Sequence, residues 1–165
     1  MSEQRRVSVL FVCMGNICRS PTAQGVFRKL AQEEGLEDLI EIDSAGTHAY
    51  HIGSPPDRRA QATAVGRNID LSDLRGRQVE IEDFQRFDYI LAMDSENLDI
   101  LTELCPAGAE EKLSLFMDFA PDYGMTEVPD PYYGGDRGFD QVFDMIEEAS
   151  KGLIEELRRS HLSVA

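Results

Sequence analysis

The chain has 165 residues, a length that predicts a single domain spanning residues 1–165. Hydrophobic residues make up 42% of the sequence, which excludes a largely disordered chain, and no run approaches the ~18 apolar residues that a membrane span needs. The 31 acidic residues outnumber the 16 basic ones, so the net charge is −15. This charge argues against nucleic-acid binding through a basic surface.

The charge is unevenly distributed along the chain. Residues 1–29 contain five basic residues and one acid, a net charge of +4, so the rest of the chain carries −19. We therefore expect any anion to be captured locally, at the N-terminal segment, where salt screens the interaction little.

The cysteine content indicates a reducing compartment. The chain has three cysteines, an odd number without the spacing of a disulfide framework: Cys13, Cys18 and Cys105. The apolar run at 7–14 is short and is followed by Gly-Asn-Ile-Cys-Arg instead of a small-residue cleavage site, so we interpret it as a buried strand. The expected location is the cytoplasm, with the thiols either buried or reactive.

Strands and helices are predicted to alternate in the first half of the chain. Ser20 and Pro21 suit a helix start, with Ser20 as the cap, and Gly35 and Gly66 suit helix ends. The predicted elements are a strand at 6–12, a helix from 20 to 35, a strand at 39–42 that enters a turn at 43–47, and a helix at 57–65.

The alternation continues in the second half. Asp94 is the expected cap of a helix that follows a strand. The predicted elements are a strand at 89–93, a helix from Asp94 to 104, a strand at 113–116, and a long amphipathic helix from 138 to about 159. This order predicts one α/β domain with a parallel sheet, helices on both faces, and ligands at the carboxyl ends of the strands.

The most informative segment is Cys13-Met14-Gly15-Asn16-Ile17-Cys18-Arg19-Ser20, between the first strand and the first helix. Gly15 and Asn16 tolerate left-handed backbone angles, so the chain can curl and direct several backbone N–H groups toward one anion. Arg19 adds a bidentate donor for phosphate oxygens, and the positive potential favours a nucleophilic thiolate at Cys13. The alternative is that Cys13 is a buried apolar residue, but its context favours the reactive interpretation.

A cysteine nucleophile that accepts a phosphoryl group leaves an alkoxide or phenolate that needs a proton. Asp130, between Pro129 and Pro131, is the candidate general acid. By itself an aspartate between prolines is more typical of a turn. The cysteine loop is what makes the catalytic interpretation preferable.

Four short segments occur in order along nearly the whole chain: CMGNICRSP at 13–21, DSAGT at 43–47, AMD at 92–94 and DPYYGG at 130–135. Together they resemble the low-molecular-weight protein tyrosine phosphatase family. The resemblance implies a three-layer fold with a four-stranded parallel sheet and a phosphate-binding loop after the first strand. It also implies hydrolysis of aryl phosphates through a phosphocysteine, with no metal and no cofactor.

The resemblance also implies roles for individual residues. Cys13 is the nucleophile, Arg19 holds the phosphoryl oxygens, and Asp130 acts first as acid and then as base. Cys18 matches a second loop cysteine that can form a reversible disulfide with the nucleophile under oxidation. The other matching positions are the substrate-binding loop (Met14, Gly15, Asn16, Ile17, Cys18, Ser20), the rim tyrosines (Tyr50, Tyr132, Tyr133) and two residues that support the loop (Ser44, Asp94).

One position departs from the family pattern, and one pair of histidines lacks the further residues that a metal site needs. Leu74 aligns with a position where the family often has a histidine bonded into the network that holds the loop, and loss of that bond is expected to loosen the loop by about 1 kcal/mol. His48 and His51 have a His-x-x-His spacing without further residues at ligand spacing, so no metal site is expected.

These residues bear on three candidate functions. A phosphotyrosine phosphatase is preferred. An arsenate reductase on the same scaffold needs relay cysteines near residues 75–95, and no cysteine occurs from 78 to 104. A catalytically silent phosphate-binding module would be expected to have lost at least one of Cys13, Arg19 and Asp130, and all three are present.

The expected partners are phosphotyrosine proteins or small aryl phosphates, with inorganic phosphate or other oxyanions as inhibitors. Residues 80–148 contain 3 basic and 19 acidic residues, so very acidic phosphopeptides are expected to be disfavoured. Neither nucleic acid nor a membrane is an expected partner. The protein is expected to be a monomer, with weak self-association at most.

Overall fold

The strand and helix order predicted from the sequence is present in the computed structural model, which describes residues 6–131 and 136–161. Short 3₁₀ turns at Glu110–Lys112, Phe116–Phe119 and Pro121–Tyr123 supplement the regular elements. Those elements are β1 (Val7–Cys13), α1 (Arg19–Glu33), β2 (Ile40–Gly46), α2 (Arg58–Val65), α3 (Asp83–Arg86), β3 (Tyr89–Ala92), α4 (Ser95–Leu104), β4 (Leu113–Leu115) and α5 (Asp136–Ser160).

The four strands of the described residues form one sheet in the order β2-β1-β3-β4, and every pairing is parallel. β1 lies inside the sheet, and all seven of its residues are buried. This agrees with its nearly continuous apolar sequence, which is typical of a strand covered on both faces. The predicted α/β fold with a four-stranded parallel sheet is confirmed.

Two apolar layers cover the sheet. Val9 and Phe11 of β1 belong to the layer shared with α1 and α5, whereas Leu10 and Val12 belong to the layer shared with α3 and α4. Alternate residues of a strand point to opposite faces, so β1 holds both layers together. The helices therefore lie on both sides of the sheet, as the sequence predicted.

The predicted helix ends are largely confirmed. The side chain of Asp57 accepts a hydrogen bond from the N–H of Arg59 at the start of α2, and Asp94 accepts one from the N–H of Asn97 at the start of α4. Gly35 follows α1 with φ = 72°, a left-handed angle that glycine adopts at helix ends.

Two predicted boundaries are wrong. α1 begins at Arg19, with Cys18 in the cap position, so Ser20 is not the cap. The Ser20 hydroxyl instead makes tertiary contacts with the cysteine loop. β2 continues through the predicted turn to Gly46, because β1 pairs with it as far as Cys13.

The short helix α3 was not predicted, since four residues are too few for a recognisable helical pattern. None of the helices in residues 6–131 and 136–161 has both the length and the apolar character that crossing a membrane requires.

Candidate active site

The carboxyl ends of β1 and β2 meet beside the loop formed by residues 14–18. Cys13 ends β1 opposite Gly46, and the N–H of Thr47 donates to the Cys13 carbonyl over 2.9 Å. The N–H of His48 donates to the Met14 carbonyl over 3.0 Å. These bonds fix the first turn of the loop to the end of β2, at the sheet edge where a ligand was predicted.

Gly46 is required by the close approach of the loop. A Cβ atom at this position would lie 2.8 Å from the Met14 carbonyl oxygen and 3.2 Å from the Asn16 nitrogen. Since real Cβ contacts are essentially never below 3.0 Å, a side chain here would displace the loop backbone. The DSAGT segment therefore supplies space for the loop as well as a strand end.

The sulfur of Cys13 lies 3.0 Å from the Ser20 hydroxyl oxygen, and both side chains are buried. The amide nitrogen of Asn16 donates to the same hydroxyl oxygen over 2.8 Å. Because that oxygen already accepts a hydrogen bond, its own hydrogen can be donated to the Cys13 sulfur. The Ser20 hydroxyl therefore lies between the Cys13 sulfur and the Asn16 amide.

Asn16 is the central residue of the hydrogen bonds that hold the loop. Its φ of 58° is left-handed, which only a few non-glycine residues adopt readily. Its amide nitrogen also donates to the Ser44 hydroxyl over 3.0 Å, and its amide oxygen accepts the N–H of Arg77 over 3.0 Å. The Ser44 hydroxyl in turn donates to the Gln24 side-chain oxygen over 2.6 Å.

Arg19 is almost completely buried and is held from two directions. Its Nη1 donates to Asp94 Oδ2 over 2.5 Å and to the Val128 carbonyl over 3.1 Å, while Nη2 lies 3.7 Å from Asp130 Oδ2. Burial opposes the charged guanidinium, but Cys13, Asp94 and Asp130 outweigh it and raise the pKa of Arg19. The guanidinium therefore remains a fixed positive charge in this site.

A cavity of about 160 Å³ brings the three predicted catalytic side chains together. Tyr50 stands at its rim, 67% exposed and stacked on His48 with ring centroids 5.0 Å apart. The cavity is lined by Cys13, Met14, Gly15, Ile17, Cys18, Arg19, Tyr50, His51 and Asp130. Such a volume suits a phosphoryl group with part of an aromatic ring.

Cys18 lies in the cavity wall as a neutral thiol. Burial raises its pKa far above the ordinary 9.0, and the negative charges of Asp57, Cys13 and Asp130 act in the same direction. Cys13 and Cys18 are both free thiols in this structure. The two cysteines of this loop differ in their contacts, because the sulfur of Cys13 lies against the Ser20 hydroxyl.

Several site residues were not found from the sequence. His51 was considered from the sequence only as part of a His-x-x-His pair, yet it lines the cavity and its ring would lie 3.0 Å from a Cβ at Gly15. Gln24 and Arg77 support the loop through contacts that no local pattern reveals. Leu74 is buried in the apolar layer beside α1 and α5, and the Asn16 amide has its partners without it.

The remaining predictions are outside this cavity or outside the described residues. Tyr132 and Tyr133 belong to the undescribed part of the chain. In the described part, no group of three or more His, Cys, Asp or Glu side chains is arranged to hold a metal ion. A larger groove of about 820 Å³ lies between the end of α1, residues 119–123 and α5, but none of the described residues that line it is a cysteine, serine or histidine.

Comparisons with known proteins identify the family. The model of the low molecular weight phosphotyrosine protein phosphatases matches residues 8–163. The human low molecular weight phosphotyrosine protein phosphatase is 40% identical over 161 residues, covering 94% of this chain and 98% of that protein.

Two solved structures are similar over most of their length. A protein tyrosine phosphatase from Entamoeba histolytica, with Hepes in its active site, has a TM-score of 0.90 at 42% identity and covers 93% of this chain and 97% of its own. Vibrio vulnificus Wzb in complex with benzylphosphonate has a TM-score of 0.80 at 29% identity, with 92% and 99% covered. The chain therefore belongs to the low molecular weight protein tyrosine phosphatase family, a class of hydrolases.

Proposed function

We propose that this phosphatase hydrolyses phosphotyrosine and other aryl phosphate monoesters through a phosphocysteine on Cys13. The observation that carries the proposal is the meeting of Cys13, Arg19 and Asp130 in one cavity of about 160 Å³. The cavity supplies a nucleophile, a fixed positive charge and a proton donor within reach of one phosphoryl group.

In the first step, the Cys13 thiolate attacks phosphorus and the bond from phosphorus to the aryl oxygen breaks. The loop N–H groups and the Arg19 guanidinium bind the phosphoryl oxygens, whose charge is largest in the transition state. The carboxyl of Asp130 donates its proton to the departing phenolate oxygen. The Ser20 hydroxyl, 3.0 Å from the sulfur, positions Cys13 for this attack.

In the second step, the Asp130 carboxylate takes a proton from a water molecule that attacks phosphorus. The sulfur–phosphorus bond breaks, and inorganic phosphate and the Cys13 thiolate are released. Asp130 then carries a proton again, so the cycle closes without a metal or a cofactor.

The residue at the cavity rim favours an aromatic substrate. Tyr50 can stack on a phenyl ring, since aromatic rings favour offset stacked contacts, and it stands beside the cavity mouth. The benzylphosphonate bound by the Vibrio protein is an aryl-bearing oxyanion of comparable shape. These features support phosphotyrosine over smaller aliphatic phosphates.

The arsenate reductase alternative is not favoured. Beyond the loop the next cysteine is Cys105, which follows α4 and packs with the layer on the other side of the sheet from α1. The named relatives are phosphatases. We also propose that the protein works in the cytoplasm, because its three cysteines are free thiols, as is usual in a reducing compartment. Its expected state there is a monomer.

The test is hydrolysis of p-nitrophenyl phosphate with EDTA present, by the unmodified protein, Cys13→Ser and Asp130→Ala. We expect no turnover for Cys13→Ser and a loss of ~100-fold or more in kcat for Asp130→Ala, greatest for substrates with poor leaving groups. Full activity of Cys13→Ser, or an absolute requirement for a metal, would refute the phosphocysteine mechanism.

A further inference from the structure

Arg77 lies in the irregular segment between α2 and α3, and its peptide groups contact the phosphate loop. Its N–H donates to the Asn16 amide oxygen over 3.0 Å, and its carbonyl accepts the N–H of Gly46 over 2.8 Å. One residue of this segment therefore touches both the loop and the end of β2. It does so from outside the cavity, because Arg77 is not among the lining residues.

The guanidinium of Arg77 is anchored by two aspartates. Nη1 and Nη2 donate to the two carboxylate oxygens of Asp83 over 2.9 and 3.0 Å, and Nε donates to Asp43 Oδ2 over 3.1 Å. The side chain of Asp83 is only 6% exposed, and its Oδ2 also accepts the N–H of Glu80 over 2.7 Å. Burial opposes the charge, but Asp83 and Asp43 outweigh it and raise the pKa of Arg77.

The position of the Arg77 backbone depends on these anchors. Within the described residues, the backbone pairing of this segment with the sheet is limited to an isolated bridge between Gly46 and Gln78, and the side chain of Arg77 adds a contact with Asp43 of β2. A bidentate arginine–carboxylate pair is geometrically specific, so it can fix the peptide that the side chain extends from. The amide of Asn16 is in turn the group that holds the left-handed turn of the loop.

We infer that Arg77 is a positioning residue of the phosphate loop, acting through its backbone N–H on Asn16, with Asp83 and Asp43 as its anchors. The inference rests on the proposed function, since Arg77 is inferred to determine how precisely the loop is positioned to bind an oxyanion. Arg77 itself does not touch the reacting atoms.

Arg67 provides a matched control for Arg77. It too pairs with several acids, Asp140, Asp144 and Glu147 of α5, and its side chain is 24% exposed against 29% for Arg77. None of these residues lines the catalytic cavity. Replacing either arginine removes a multiply paired cation, but only one of the two is linked to the loop.

The experiment compares Arg77→Gln with Arg67→Gln by thermal unfolding and by calorimetric titration with orthovanadate, well below both melting temperatures. We expect both variants to melt at a lower temperature. We expect vanadate to bind Arg77→Gln about tenfold more weakly, as loss of a charge-assisted hydrogen bond produces, and to bind Arg67→Gln within about twofold of the unmodified protein. Arg77→Lys should regain part of the affinity, because it keeps one ion pair.

Asp83→Asn and the double variant Arg77→Gln/Asp83→Asn complete a double-mutant cycle, which tests whether the two residues act together. If Arg77 acts through this anchor, the double variant binds vanadate no more weakly than Arg77→Gln. If Arg77→Gln does not fold, Asp83→Asn serves as the test variant in its place. Wild-type vanadate affinity in Arg77→Gln or in Asp83→Asn, or an equal loss in Arg67→Gln, would overturn the inference. Failure of the unmodified protein to bind vanadate would instead count against the proposed function.

Discussion

The two carboxylate oxygens of Asp94 accept hydrogen bonds from two different elements, the Arg19 side chain and the first turn of α4. Oδ2 accepts a hydrogen bond of 2.5 Å from Nη1 of Arg19, and Oδ1 accepts one of 2.8 Å from the N–H of Asn97 in the first turn of α4. One side chain therefore orients the Arg19 guanidinium and caps a helix. Any substitution at this position affects catalysis and stability together, but not to the same degree.

The first prediction separates these two effects. Asp94→Asn retains an oxygen that can cap α4, whereas Asp94→Ala does not, so Asp94→Ala should lower the free energy of unfolding by about 1 kcal/mol more. Both variants lose the charge that orients Arg19, and each should lose about tenfold or more in kcat for p-nitrophenyl phosphate. Urea unfolding and steady-state kinetics check the two parts. Equal stability of the two variants would show that the cap contributes nothing.

The second prediction concerns Ser20. In Ser20→Ala the Cys13 sulfur loses the hydroxyl that lies 3.0 Å from it, a contact that we expect to favour reaction at the sulfur. Alkylation of Cys13 by iodoacetamide at pH 6 should slow by about five- to tenfold, as expected for one hydrogen bond to a charged group. Ser54→Ala is the control, since no side-chain hydrogen bond links Ser54 to the loop. An unchanged alkylation rate in Ser20→Ala would contradict the assigned role.

The third prediction follows from the raised pKa of Cys18. In the unfolded chain this thiol ionises near its ordinary value of 9.0, but in the folded protein it stays protonated to higher pH. Above pH 9 the unfolded state therefore binds fewer protons than the folded state, so the stabilising contribution of Cys18 is present below that pH and is lost as pH rises.

The size of this effect can be measured with Cys18→Ser, which removes the ionisable group. Between pH 9 and 10.5, the free energy of unfolding of the unmodified protein should fall by about 1 kcal/mol per pH unit more steeply than that of the variant. Denaturant titrations at several pH values give the two slopes. Parallel slopes would mean that Cys18 ionises equally in both states.

The fourth prediction tests the close approach at Gly46. A Cβ in Gly46→Ala would meet the Met14 carbonyl at 2.8 Å, so the loop must shift, and a misplacement of about 1 Å can cost about 100-fold in rate. Gly66→Ala is a suitable control, because its nearest contact is an ordinary 3.5 Å from the Thr63 carbonyl. We expect kcat of Gly66→Ala within about twofold of the unmodified protein. Unimpaired catalysis by Gly46→Ala would show that the loop tolerates the shift.

Features coded by neighbouring residues were predictable from the sequence. The caps at Asp57 and Asp94 and the glycine that ends α1 depend on contacts within a few residues, and each is present. Ser20 has the same local appearance of a cap, but its hydroxyl is occupied by the Cys13 sulfur and the Asn16 amide. Tertiary contacts therefore overrode a correct local preference.

Support of the loop was less predictable, because its contacts join distant positions. The bond between Asn16 and Arg77 spans 61 residues, and that between Ser44 and Gln24 spans 20. No periodicity or spacing rule identifies such pairs. Ser44 and Asp94 were found only because the motifs that contain them resemble a known family, whereas Arg77 and Gln24 lie outside those motifs.

The order of the strands has a consequence for biosynthesis. β1 ends at the proposed nucleophile and is synthesised before β2 and β3, with which it pairs, and the proposed acid Asp130 follows both. A nascent chain that ends near residue 110 already has the cysteine loop and lacks its proton donor. Cys13 is therefore synthesised long before the proposed catalytic cycle can be completed, and the return of full turnover during refolding would report that the whole sheet has assembled.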